Sequence, residues 1–261
     1  MPTVLITGCD RGLGLEFARQ YAAAGCRVHA TCLDPAAASE VHAIDGDVRV
    51  VKLDVADHAA IDRLASEIAG EPIDILVSNA GIARPHPGFG ATEYAQWRRI
   101  LEVNLIGPMK LAEAFVEHVA ASEMKVMAFV SSRMGSIGLN LTGGSYAYRS
   151  SNAGLNAVVK SLAIDLQPRH ILVLALHPGW AKTEPGARVP VDQSVAGMRA
   201  VIDRCSRHER GAFSLTRHSV ALVTKPVRGL AAEVPEPNPS SRLNNGIRAV
   251  AGGSCGQTYR G

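Results

Sequence analysis

Short, nearly continuous apolar runs alternate along the chain with segments whose apolar residues recur every three to four positions. The runs predict strands over Thr3–Thr7, Arg27–Thr31, Val48–Leu53, Ile73–Val77, Val126–Ser131 and Ile171–Leu176. The helical period predicts helices over Leu13–Ala24, near Asp57–Ala69, within Tyr94–Val119 and from Tyr148 to Leu166. Strands apolar on both faces belong to a parallel sheet covered by helices on both sides. With right-handed crossovers this is an α/β, doubly wound, Rossmann-type sheet, expected in the order 3-2-1-4-5-6. A seventh strand over Ser219–Thr224 is possible, but past Gly211 the periodicity dissolves into Pro, Gly, Ser and Asn. One domain is therefore expected over residues 1–213, followed by a poorly ordered tail over 214–261.

Charge adds little to this picture. The formal net charge of +3 comes from the last segment, where Arg217, Lys225, Arg228, Arg242, Arg248 and Arg260 face only Glu233 and Glu236. The rest holds 21 basic and 22 acidic residues without a basic stripe, which argues against a nucleic-acid partner. No apolar run approaches a membrane span, and no basic segment followed by a long apolar stretch opens the chain. Cys9, Cys26, Cys32, Cys205 and Cys255 are odd in number and lack a Cys-x-x-Cys pair, so a reduced, cytoplasmic protein is expected. Nine scattered histidines show no metal-ligand spacing; His29 and His177, at strand positions, read as structural.

The chemistry-bearing residues follow the strands. After the first come Thr7, Gly8, Cys9, Asp10, Arg11, Gly12, Leu13 and Gly14. Glycines there let the backbone turn tightly against a pyrophosphate, which the next helix meets with its N–H groups and positive end. After the second, Cys32 stands where an acid would bind the adenosine 2′-hydroxyl, followed by Leu33 and Asp34. Without a carboxylate at that place, and with the Arg11 guanidinium in the glycine loop, NADP(H) is favoured over NAD(H), although Asp34 competes. Asp54 and Val55 follow the third strand; Asp54 is either an acceptor for the adenine amino group or a turn aspartate. Asn79, Ala80 and Gly81 follow the fourth, Ser131 and Ser132 the fifth, and Pro178 and Gly179 the sixth, so all of them line the carboxyl edge, where open α/β sheets bind ligands.

Taken in this order, Thr7-Gly8-x-x-x-Gly12-x-Gly14, Asn79-Ala80-Gly81, Asn104, Ser132, Tyr148 and Pro178-Gly179 resemble the short-chain dehydrogenase/reductase family. The text at 131–136, 146–151 and 194–198 is similar to its C-factor-like (C-signal) carbonyl reductase branch, and the likeness spans about residues 1–213. The resemblance implies that Tyr148 exchanges a proton with the substrate oxygen, Ser132 bonds the same oxygen and Asn104 holds a water of a proton relay. Thr183 would bond the nicotinamide carboxamide. Hydride transfer builds negative charge on oxygen, which such donors stabilise. Tyr146 is the competitor for the tyrosine role, but the family text aligns through Tyr148. The substrate would be a small carbonyl or alcohol, covered by a segment within Glu184–Val195 and flanked by Trp180, and the family's helix contacts imply a homodimer or homotetramer.

The departure lies at residue 152. The family places lysine four positions after the tyrosine, on the same helix face, and here that residue is Asn152. Asparagine can keep part of the bonding to the nicotinamide ribose but cannot lower the phenol pKa. An unperturbed phenol, with a pKa of ~10, is ionised to about one part in a thousand at pH 7, and a nearby cation lowers a pKa by roughly 1–3. Alcohol oxidation, which needs a base, should suffer most, while carbonyl reduction uses the protonated phenol. Lys160, two turns on, is too far to substitute; Lys182 is nearer in principle. The expected activity is NAD(P)-dependent oxidoreduction in the reductive direction, the alternative being a catalytically impaired nucleotide-binding regulatory protein. The segment from Ser214 onward resembles nothing in the family, which suggests a replaced or read-through C-terminus.

Overall fold

The computed structural model describes residues 1–83, 88–179, 181 and 189–210, with the side chains of 207–210 excepted. In chain order the elements are β1 (Thr3–Thr7), α1 (Gly12–Ala23), β2 (Arg27–Cys32), α2 (Ser39–His42), β3 (Val48–Lys52), α3 (His58–Glu67) and β4 (Ile75–Ser78). They continue with α4 (Tyr94–Leu101), α5 (Gly107–Ala120), β5 (Val126–Val130), α6 (Tyr146–Asp165), β6 (Leu172–Leu176) and α7 (Val191–Arg210). The strands form one sheet in the expected order, β3-β2-β1-β4-β5-β6, with every pairing parallel. Strand order reverses between β1 and β4, and the crevice at such a switch point is where a doubly wound sheet takes its ligand.

The strands are apolar throughout because both faces are covered. Val4, Ile6, Val28, Ala30, Ile75, Val77, Val126 and Ala128 pack towards α1 and α7, whose Phe17, Tyr21, Val195 and Ile202 fill that side. Leu5, Leu76, Met127, Phe129, Val173 and Ala175 face the other way, onto α3, α5 and α6 through Ile61, Leu111, Phe115 and Val159. Residues one apart on a strand thus serve different cores, which follows from its two-residue side-chain period. Removing Phe115, fully buried on the second side, would cost about 3–5 kcal/mol.

The structure departs from expectation at identifiable places. Ile73 and Asp74 precede β4 because the Ile73 N–H bonds the His118 carbonyl and Asp74 accepts the Thr3 N–H at 2.8 Å, tying β4's entry to β1. The expected long helix within Tyr94–Val119 is divided by a π turn over Glu102–Ile106. Helix α6 begins at Tyr146, two residues early, after Ser145 in the left-handed region at φ 47°. Helix α7 was not foreseen as an element, though Val195, Met198, Ile202 and Cys205 carry its stripe. Among the described residues no helix is long and apolar enough to cross a membrane. The expected domain end at 213, the possible seventh strand and the tail lie outside the described residues, as do Trp180, Lys182, Thr183 and most of the expected substrate-covering segment.

Candidate active site

The crevice begins at the end of β1. Gly8 and Gly12 hold φ of 73° and 60°, conformations that favour glycine. A side chain on Gly8 would place its Cβ 2.9 Å from the Ala80 Cα, and one on Gly14 would overlap the Gly8 carbonyl oxygen. The loop is thus drawn close both to the turn after β4 and to the first turn of α1. That first turn has no acidic residue and no side-chain cap, so its N–H groups remain available to an anion. Asp10 and Arg11 pair at 3.3 Å on the surface, with the Arg11 side chain 87% exposed.

Thr7 and Asn79 weld this loop to β4. The buried Thr7 hydroxyl oxygen accepts the N–H groups of Asn79 and Ala80, both at 3.0 Å, while Asn79 Nδ2 donates to the Thr7 and Gly8 carbonyls at 2.9 and 3.2 Å. Asn79 is therefore a brace of the glycine loop, and Thr7, which the sequence marks only as the start of the glycine motif, is the acceptor that holds it. Gly81 lies beside it, a Cβ there meeting Asn104 Oδ1 at 3.5 Å.

At the end of β2, Cys32 turns into the core with 1% exposure, while Leu33 stands 61% exposed. Burial, helped by the nearby Asp10 and Asp34 carboxylates, pushes the Cys32 thiol pKa up. The side chain exposed at the end of β2 is thus Leu33 rather than Cys32, and Asp34 Oδ1 accepts the Ala36 N–H at 3.1 Å. Asp54 forms a turn with the Ala56 N–H at 2.9 Å and an ion pair with Arg99 at 2.8 Å. Burial opposes its ionisation, but the Ala56 N–H and the Arg99 guanidinium outweigh it and hold the carboxyl below the usual range. These are the bonds of a turn aspartate, with Oδ1 on the Ala56 N–H and Oδ2 on Arg99. Val55 lies behind it, its carbonyl oxygen 2.5 Å from where a Gly107 Cβ would be.

Asn104 sits buried within the π turn, a distortion that recurs at functional sites. Its Oδ1 accepts the Ile82 N–H at 2.8 Å, and its Nδ2 donates to the Ile82 carbonyl at 2.9 Å and to Ser151 Oγ at 3.3 Å. This places the π turn between the loop after β4 and helix α6. Gly154 permits the approach, because a Cβ there would come 2.8 Å from Leu105 Cδ2.

Ser132 follows β5 in extended conformation, with its hydroxyl oxygen accepting the Met134 N–H at 3.1 Å. That bond uses a lone pair and leaves the hydroxyl proton to be donated. Tyr148 stands half-buried in the first turn of α6. Asn152, 5% exposed, donates from Nδ2 to the Tyr148 backbone carbonyl at 2.9 Å, and its Oδ1 lies 3.4 Å from Ser131 Oγ. One amide N–H and the carbonyl of Asn152 are therefore engaged inside the protein. Asn156, whose Oδ1 accepts the Ser131 hydroxyl at 2.7 Å, was not among the expected site residues; the signal was there, since Asn156 follows Asn152 by one helical turn.

His177 accepts the Arg133 N–H through Nδ1 at 3.4 Å, a contact that requires the unprotonated nitrogen. Burial, with the Arg133 charge, lowers its pKa accordingly. Pro178 and Gly179 close the crevice, with Gly179 at φ 73° and the Ser194 hydroxyl of α7 donating to the Pro178 carbonyl at 2.6 Å.

These features sit on a chain that matches known proteins closely. The C-signal protein of Myxococcus xanthus is 37% identical over 152 residues, covering 57% of this chain and 92% of that protein. Among solved structures, the carbonyl reductase Sniffer of D. melanogaster superposes with a TM-score of 0.73 at 31% identity, covering 77% of this chain and 91% of the other. A carbonyl reductase from Pseudomonas aeruginosa PAO1, solved in complex with NADP, superposes with a TM-score of 0.72 at 30% identity over 80% and 94% of the two chains. The family model described as short chain dehydrogenase matches residues 2–193. With the switch-point crevice, the glycine loop and the serine and tyrosine elements arrayed on one sheet edge, the chain belongs to the short-chain dehydrogenase family.

Proposed function

We propose that the protein reduces small carbonyl compounds with a nicotinamide cofactor, using NADP(H) in preference to NAD(H). The observation that carries this reading is the buried polar chain joining Ser132's strand end to the turn of α6 that holds Tyr148, beside a glycine loop in which Gly8 and Gly14 have no room for a Cβ. The loop fits a dinucleotide: Gly12, Leu13 and Gly14 offer N–H groups to the pyrophosphate, and Arg11 is exposed enough to reach a 2′-phosphate. Ala80, Gly81, Pro178 and Gly179 would flank the nicotinamide half, with Thr183 on its carboxamide. The bound nicotinamide supplies the hydride. Ser132 hydrogen-bonds the substrate oxygen through its hydroxyl, Tyr148 delivers the single proton that oxygen takes up, and Asn104 holds the water that resupplies the phenol.

Reduction suits a site in which residue 152 carries no charge, because the phenol is needed as an acid. The NADP complex of the Pseudomonas relative supports the cofactor preference, while Leu33 supplies no second cation for it. Among the described residues, Cys9, Cys26 and Cys32 are buried thiols outside any disulfide, in keeping with a reducing cytoplasmic setting. The exposed Ile106 and Ile164 support assembly into a homodimer or homotetramer over their helix faces.

The test is calorimetric titration of NADPH and NADH, followed by turnover on a panel of aldehydes and ketones with wild type and Tyr148→Phe. We expect NADPH to bind more tightly and at least one carbonyl to be reduced. Tyr148→Phe should lose about a hundredfold or more in kcat while still binding cofactor. Binding of neither cofactor overturns the proposal, and binding without turnover leaves the regulatory alternative in its place.

A further inference from the structure

The Ser131–Asn156 bond lies outside every role assigned above and is built from both ends. The Ser131 backbone N–H bonds the Leu176 carbonyl at 2.7 Å, which holds the end of β5 to β6. Its hydroxyl, on a residue 4% exposed, reaches across to α6, where Asn156 Oδ1 lies at 2.7 Å and Asn152 Oδ1 at 3.4 Å. A hydroxyl has one proton to give, so the shorter contact is the principal bond and Asn152 takes the weaker share. On the far side of Ser132 the chain turns back onto the same helix at Gly135. A Cβ there would come 2.7 Å from the Asn152 carbonyl carbon and 2.8 Å from Asn156 Nδ2. Ser132 is thus bracketed by two contacts with one helical turn of α6, and that turn is bonded through Asn152 Nδ2 to the carbonyl of Tyr148.

We infer that Asn156 and Ser131 form a positioning pair that sets the Ser132 hydroxyl against the Tyr148 phenol, and that Asn152 acts as the second arm of this pair rather than as a ligand of the cofactor ribose. The inference rests on the preceding reading that Ser132 and Tyr148 act on the substrate oxygen. Asn156 is a positioning residue, since it works through the strand end that carries Ser132. Asn152 meets both partners at once, with Nδ2 on the Tyr148 carbonyl and Oδ1 beside the Ser131 hydroxyl.

The test compares Ser131→Ala and Asn156→Leu, which remove donor and acceptor, with Ser131→Thr and Asn156→Asp, which keep them. Each variant is assayed with NADPH and 4-nitrobenzaldehyde, and backbone hydrogen exchange is followed across 130–136. The disabling variants should lose between about ten- and a hundredfold in kcat, with the KM for the aldehyde and the affinity for NADPH little changed. The conservative pair should recover most of the loss. Exchange at 132–136 should quicken in Ser131→Ala while the amides of α1 stay as in wild type. Full kcat in Ser131→Ala and Asn156→Leu, or a loss that the conservative variants do not relieve, overturns the inference. If wild type turns over no carbonyl, the reductase reading falls, and exchange at 132–136 still decides the pair: unchanged protection in Ser131→Ala overturns it.

Discussion

Thr7→Val isolates the brace beneath the glycine loop. Thr7 is fully buried at the end of β1, and valine matches its shape, so the change opens no cavity. What it removes is the oxygen that accepts the N–H groups of Asn79 and Ala80, both at 3.0 Å. Each buried N–H left without a partner costs about 1–3 kcal/mol. Asn79 and Ala80 are only half-buried, so water reaches part of that loss and the lower end applies, about 2–3 kcal/mol for the two together. Thr7→Ser is the control, since it keeps the oxygen and gives up one methyl, for about 1 kcal/mol. Urea unfolding followed by circular dichroism should show a lower midpoint for Thr7→Val with an unchanged slope. The corresponding fall in Tm is about 4–12 °C at roughly 2–4 °C per kcal/mol for a domain of this size. NADPH affinity should fall with it, because Gly8 is packed directly against Ala80. Thr7→Val as stable as Thr7→Ser, or binding NADPH as wild type does, would refute the reasoning.

Other substitutions probe the rest of the site. Asn152→Lys should move the pH–rate profile of alcohol oxidation down by roughly 1–3 relative to wild type, because a cation favours the phenolate; its gain in kcat should stay partial, since the bond from Asn152 Nδ2 to the Tyr148 carbonyl is lost. Leu33→Arg places a guanidinium at the exposed end of β2 and should tighten NADPH by about ten- to a hundredfold, from a charge-assisted bond of about 1.5–3 kcal/mol, with no gain for NADH in parallel titrations. Glu71 tests pH dependence: burial opposes its ionisation, but His29 at 2.9 Å and Arg27 outweigh burial and lower its pKa. Its contribution to stability is therefore present above the ordinary glutamate value of ~4.3 and lost as pH falls through the lower folded value. Melting curves of Glu71→Gln should accordingly show a shallower loss of Tm on acidification than wild type.

Much of the fold was legible because its signals are local. Strand runs and helical stripes arise within a few residues, and the six strands expected up to Leu176 appear within two residues of their places at both ends. Two departures fall where a distant group intervenes: β4 starts late because Asp74 is engaged by Thr3, and the long helix widens at Asn104, whose side chain is held by Ile82. The site shows the same division. The spacing of Gly8, Gly12 and Gly14 marks a tight turn, but the spacing says nothing of Ala80, the residue that requires Gly8 to lack a Cβ.

By itself, the sequence determined the alternating pattern, the two-sided burial of the sheet, the sheet edge that carries the chemistry and the loss of a cation at residue 152. Periodicity, glycine placement and side-chain identity are properties of short stretches. Only the tertiary structure decided what each residue does there: that Leu33 rather than Cys32 meets solvent at the end of β2, that Asn79 braces the loop and that Asp54 is bound by Arg99. It also decided that Asn152 and Asn156 turn inward to Ser131. A side chain's role depends on the partners that satisfy its polar atoms, and in the glycine-loop brace those partners lie as many as 73 positions apart along the chain.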